Sequence, residues 1–230
     1  MYNHPPPRAS RALRGPATLT HASSRCLRVA AQDSALTGRA TRERTLPGAR
    51  LRYKIDPIMN ETPDAYIARI LSFVGDQEPL QILASTAGRL RAAIAGRTRD
   101  ALAWTPDPAR WSATQILAHL ADAEVVAAWR LRSIIAANGV PLQPFDQNAW
   151  AATFRYAESD PFEALQLFEV NRAATLSLLR RVDPALHANH GMHAERGKET
   201  VAHLLRLYAG HDLNHLAQIE KLVVGNGSRR

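Results

Sequence analysis

Four windows of this 230-residue chain carry apolar side chains at alternating steps of three and four, the period of a helix with one buried face. No window alternates with period two for long enough to make a convincing strand. In the first window Leu80, Leu83, Ala87, Leu90 and Ile94 form the stripe, opened by Pro79 in the first turn and stopped by Gly96. In the second, Ile116, Leu120, Ala123, Ala127, Leu131 and Ile134 follow Ser112 and Gln115, spaced as a capping box, and Gly139 ends the run. The third begins at Asp160-Pro161, a cap followed by a proline in the first turn, and runs through Leu165, Phe168, Arg172, Leu176 and Leu179 with Arg172 as one polar interruption. The fourth spans about Thr200 to Val224. A short helix, "PDAYIARILSFVG", precedes them and stops at Gly75. Four long amphipathic helices predict an all-α, four-helix bundle over residues 59–226. The connection 139–160 is long for neighbouring antiparallel helices and is expected to cross the end of the bundle.

The formal net charge of +8 first suggests a nucleic-acid partner, but its distribution argues otherwise. Residues 1–55 hold ten Arg and one Lys against Asp33 and Glu43, a net of +9, while the remainder carries 18 basic and 19 acidic residues. The excess therefore belongs to a Pro-, Gly-, Ser- and Arg-rich segment, and residues 1–58 are read as a disordered basic extension. Three readings of it stay open: an extension without function, an organelle-targeting segment, or an arm on nucleic acid. Few aromatics are interleaved with the arginines, which weakens a single-strand-binding reading of the third. The single cysteine, Cys26, lies there too, so neither an internal disulfide nor a cysteine metal site is available to the rest. No run approaches 18 consecutive apolar residues, so no membrane partner is expected and a cytoplasmic location is the default.

Chemistry concentrates in the histidines. His211 and His215 stand four apart in "YAGHDLNHLAQIEK", so both imidazoles leave one helix face, and that face continues the stripe of Leu204, Tyr208 and Leu222. His119 shares its face with Ile116, Ala123 and Val126. A lone histidine on such a face is usually a hydrogen-bonded core residue. Three aimed inward are costly to bury without partners, and one ion removes that cost by accepting three lone pairs. Neutral imidazoles suit a divalent ion, Zn²⁺ first, with Ni²⁺ or Fe²⁺ as alternatives. Three ligands leave a position open for water or substrate, as in catalytic rather than structural zinc sites.

The stretches "WSATQILAHLADAE" and "YAGHDLNHLAQIE", with "FDQNAW" and "HAERG" between them, resemble the DinB/YfiT-like superfamily over about residues 78–224. The resemblance implies a four-helix bundle, commonly a homodimer, that holds a divalent metal on His119, His211 and His215. It also matches Gln218 to a glutamine three residues beyond the last ligand. Gln115 departs from the glutamate frequent at that position, and its capping role leaves the ligands untouched. Members with known chemistry include thiol-dependent transferases and isomerases, so a low-molecular-weight thiol and a small-molecule substrate are the partners implied.

Asp122, Glu124, Asp212 and Glu220 are candidates to receive the second ring N–H of a ligating histidine, against a plain reading as solvated charges. Glu124 is the first candidate general base. His193 and Glu195, in a loop before the fourth helix, are candidates to bind substrate or move a proton. Trp111, Trp150 and Phe145 line a pocket or fill the core, and Tyr208 is placed to bond a group at the metal or simply to pack. The leading expectation is a metal-dependent enzyme that activates water or a thiol for hydrolysis or group transfer. The alternative is a non-catalytic helical-bundle protein of stress response or interaction, with a structural or vestigial metal site closed by a fourth protein ligand.

Overall fold

The computed structural model describes residues 61–226, and the expectation of a disordered arm over 1–58 lies outside them. The helices are α1 (Pro63–Ser72), α2 (Pro79–Ile94), α3 (Arg99–Ala103), α4 (Ala113–Ala136), α5 (Gln147–Thr153), α6 (Pro161–Leu179) and α7 (Val201–Gly225). The four long ones coincide with the four stripes, and their starts are chemically marked. Ser112 Oγ accepts from Gln115 N at 3.3 Å while Gln115 Oε1 accepts from Ser112 N at 3.0 Å, so both halves of the capping box form. Asp160 Oδ1 accepts from the N–H groups of Phe162 and Glu163, and Thr200 Oγ1 accepts from His203 N. None of the described helices is long and apolar enough to cross a membrane.

α2 packs on α6 and α7, and so does α4; the pairs α2/α4 and α6/α7 face each other across the bundle. Two apolar clusters divide its length. One joins Leu90, Ile94, Leu117, Leu120, Leu165, Phe168, Leu216 and Ile219; the other joins Ile82, Leu83, Leu131, Ile134, Leu179, Val201 and Leu204. The order in which each helix visits the clusters gives its direction. α4 and α6 both run from the first cluster to the second, and α2 and α7 run the other way.

This corrects the expected path of the 139–160 connection. α4 and α6 are parallel neighbours, so the chain must return along the length of α4, about 36 Å for 24 residues, rather than turn across one end. It leaves through Leu142 beside the second cluster and arrives at Trp150 and Tyr156 against the first. The strand β1 (Val140–Leu142) at its start pairs in parallel with β2 (His190–His193), which pairs antiparallel with β3 (Gly197–Thr200). The segment before α7, expected as a loop, is thus a hairpin. Strands of three and four residues are too short for a period-two pattern to register.

α1 lies against α7 at one close approach. A Cβ built on Gly210 would sit 2.1 Å from the carbonyl oxygen of Ile70, so only glycine admits the α1 backbone there. The residue next to Gly210 is His211.

Candidate metal centre

His119 leaves α4 and His211 and His215 leave α7, and their Nε2 atoms converge. His211 Nε2 lies 3.0 Å from His119 Nε2 and 3.1 Å from His215 Nε2, and all three ligand atoms fall within 4.8 Å of one another. Nitrogens bound to one ion at the usual Zn–N length stand about 3 to 3.4 Å apart. Trp111 packs on His119 with ring centroids 5.1 Å apart.

The donor set fits a metal better than it fits itself. His215 Nδ1–H donates to Gln218 Oε1 at 2.9 Å, which leaves Nε2 of that ring as a bare lone pair. His211 Nε2 faces two nitrogens, and a single N–H can satisfy only one of them. A divalent ion accepts all three lone pairs. Burial also holds the rings neutral, as ligation requires. Removal from water, followed by the neighbouring imidazoles, pushes His119 well below the ordinary histidine range. Removal from water, then the Arg172 guanidinium, lowers His211 to about 4. Removal from water, then His211, lowers His215 to about 3. Among the described residues no carboxylate or cysteine joins the three as a fourth ligand.

The carboxylates named as tuning groups are otherwise engaged. Glu124 and Asp212 are 3% and 2% exposed, so the solvated reading fails for both. Each is bound by Arg172, itself 4% exposed. Glu124 Oε2 accepts from Arg172 Nε and Nη2 at 2.9 and 2.8 Å; Asp212 Oδ2 accepts from Nη1 at 2.6 Å and Oδ1 from Nη2 at 3.2 Å. Nη1 donates also to the carbonyl of Leu83 at 3.0 Å. Burial raises the Glu124 carboxyl despite the guanidinium beside it. Asp122 accepts from the Tyr156 hydroxyl, and Glu220 is exposed. The partner of a ligating ring is instead the amide of Gln218.

His193 is brought neither to this cluster nor to Glu124. It is buried on β2, where Nδ1 accepts from Glu195 N at 3.2 Å and Nε2 stands 3.4 Å from Nη2 of the buried Arg130. Trp150 packs at a tilt against Phe145 and Phe154, and Tyr208 shares a cavity of about 10 Å³ with Glu124 and Arg172. Arg172 and Gly210 are two positions to which the sequence assigned no part in the site. Each carried a signal: a charge inside an apolar stripe and a glycine inside a 25-residue helix.

A cleft of about 800 Å³ opens against His215 and Gln218. Tyr66 of α1, Phe73 just after it and the indoles of Trp104 and Trp111 form apolar walls. Arg69, Arg110, Arg196 and Lys221 line it against two carboxylates, Glu61 and Glu195.

With histidines and bundle in this arrangement, the profile of the DinB superfamily matches residues 82–219. The chain belongs to the DinB superfamily. It is 32% identical over 113 residues to OB0782 of Oceanobacillus iheyensis, covering 49% of this chain and 64% of that protein, just under two thirds of its length. It is 25% identical over 145 residues to YfiT of Bacillus subtilis, covering 62% and 81%. Both carry the name "Putative metal-dependent hydrolase". The solved structure of YfiT, described as "a probable metal-dependent hydrolase with an unusual four-helix bundle topology", superposes with a TM-score of 0.61 at 23% identity. That superposition covers 65% of this chain and 86% of YfiT, and it establishes the shared fold.

Proposed function

We propose that this DinB-superfamily chain is a metal-dependent enzyme that hydrolyses a small organic substrate held in the cleft beside His215. The observation that carries the reading is the set of three converging Nε2 atoms, without a fourth protein ligand among the described residues, at the wall of a cleft of ligand size. The names carried by OB0782 and YfiT agree with it. His119, His211 and His215 would hold a divalent ion, zinc before nickel or iron, which would supply Lewis acidity to a bound water or substrate.

The chain's own residues do the rest. Gln218 fixes the ring orientation of His215, and Trp111 packs the ring of His119. Trp104, Trp111 and Phe73 offer apolar area to the body of a substrate.

A second reading, transfer to a low-molecular-weight thiol, uses the same three imidazoles, with the thiol in place of the water at the ion they would hold. Metal analysis of the purified protein beside His119→Ala, His211→Ala and His215→Ala is the first test. Bound metal that disappears in each variant supports the site; equal metal content in all four proteins refutes it. Turnover of an ester and amide panel with and without added thiol then separates hydrolysis from transfer.

A further inference from the structure

We propose that Arg172 is the positioning residue of the three-histidine centre: by clamping Glu124 of α4 and Asp212 of α7 it sets the axial register in which His119 meets His211 and His215. The inference rests on the metal reading above and assigns a role to a residue that touches no ligand itself.

The ligands come from two helices, and this creates a problem of register. His211 and His215 are held together by the geometry of α7 alone, one turn apart. His119 joins them only if α4 stands at the right height beside α7. A slide of one residue moves it by about 1.5 Å. That is half of the 3.0 Å between His119 and His211 Nε2, and metal–ligand distances tolerate about 0.2 Å.

The apolar clusters above and below do not set this height with such tolerance, because hydrophobic contact is non-directional. A guanidinium does. It is planar and its N–H groups leave in a fixed fork, so it binds only where its partners lie in the right places. Here the partners belong to three different helices: Glu124 on α4, Asp212 on α7 and the Leu83 carbonyl on α2, with Arg172 itself on α6. One side chain thus ties all four long helices. The tie lies beside the ligands in both helices that supply them. Asp212 follows His211 directly, and Glu124 is five residues, about 7.5 Å of rise, beyond His119.

Stability alone does not account for such a cluster. Taking three charges out of water is costly, and apolar residues of the same volume hold a core equally well. What apolar residues do not reproduce is the directional link. On this reading Glu124 acts through Arg172, as an anchor for α4.

The test uses the full-length protein. Zinc affinity is measured by competition with a chromophoric chelator, and the ligand geometry by the visible absorption of the Co²⁺ form. Arg172→Lys keeps one charge but loses the fork. It should weaken zinc binding about 10- to 100-fold, the usual effect of removing an outer support of a metal site, and alter the cobalt bands while unfolding stays cooperative. Glu124→Gln retains an acceptor for the guanidinium and should stay close to the parent in both readouts. The triple variant Glu124→Gln, Arg172→Met, Asp212→Asn leaves no charge buried and should fold, yet show the same loss of zinc affinity as Arg172→Lys.

A folded Arg172 variant with zinc affinity within about twofold of the parent and unchanged cobalt bands overturns the proposal. So does failure of both Arg172 variants to unfold cooperatively, since the residue would then serve the fold as a whole. If the parent itself binds neither ion, while the His215→Ala reference looks identical to it, the metal reading falls and this inference with it. If the parent binds and the variants do not differ from it, only the role of Arg172 is lost.

Discussion

Two of the polar clusters buried in this bundle, around Arg172 and around His211, solve the problem of burial in opposite ways. Around Arg172 every guanidinium nitrogen meets an oxygen: Nε and Nη2 reach Glu124, Nη1 and Nη2 reach Asp212, and Nη1 also reaches Leu83. Around His211 nitrogen faces nitrogen, and one proton cannot serve two neighbours. In the first cluster the guanidinium is fully satisfied, and Glu124 Oε1 is the one buried oxygen left without a partner. The second lacks a positive centre. Adjacent residues, Asp212 and His211, belong to the two. Buried polar groups in folded proteins are nearly always satisfied, so the cluster in which nitrogen faces nitrogen is the one whose donor set points to a function.

The contrast makes predictions that can break it. The largest effect should follow Arg172→Met, which leaves two carboxylates buried without their cation: a loss of about 3–5 kcal/mol in denaturant unfolding. In metal-free protein His119→Ala should cost clearly less, because it relieves a crowded set of lone pairs. Equal losses would mean that the histidine cluster is as self-sufficient as the ionic one. Next, zinc at 100 times its Kd should raise the stability of the parent by about 2.7 kcal/mol over chelator-treated protein, and should do nothing for the three alanine variants. Melting curves at several zinc concentrations measure this.

A smaller effect is expected from Gln218→Leu, which removes the acceptor of His215 Nδ1–H. Zinc affinity should fall about 10- to 100-fold, or about 1.4–2.7 kcal/mol, with little change in metal-free stability. An unchanged affinity would show that the ring is held by packing alone. The smallest is a pH effect on metal-free protein. His215 titrates near 3 in the fold against about 6.5 unfolded, so between these values the unfolded chain binds the extra proton. Its contribution is complete above pH 6.5 and declines as pH falls. From pH 6.5 to 5.5 the parent should lose about 1 kcal/mol more than His215→Ala. Parallel pH profiles for the two proteins would contradict the burial of that ring as a neutral group.

Much of this was legible along the chain. The stripe of α4 and its Ser112–Gln115 cap are local features, formed by residues within a few positions of one another, and they appear in the fold as read. The inward aim of His119, His211 and His215 followed from helical spacing alone, and their meeting was what the family resemblance implied. The parallel path of α4 and α6 was not legible, because direction is set by which clusters the helix ends join. Nor was the loss of Glu124 and Asp212 to a shared cation. A carboxylate reads as solvated or catalytic until its neighbours are known, and Arg172 stands 48 residues from one and 40 from the other.

The sequence by itself determined the four long helices, their buried faces and the three imidazoles on them, because helix periodicity and capping act over a few residues. The tertiary structure decided which polar groups are complete and which are open. That depends on distances between residues far apart in the chain, such as the 3.0 Å between His119 and His211, and no local rule fixes them.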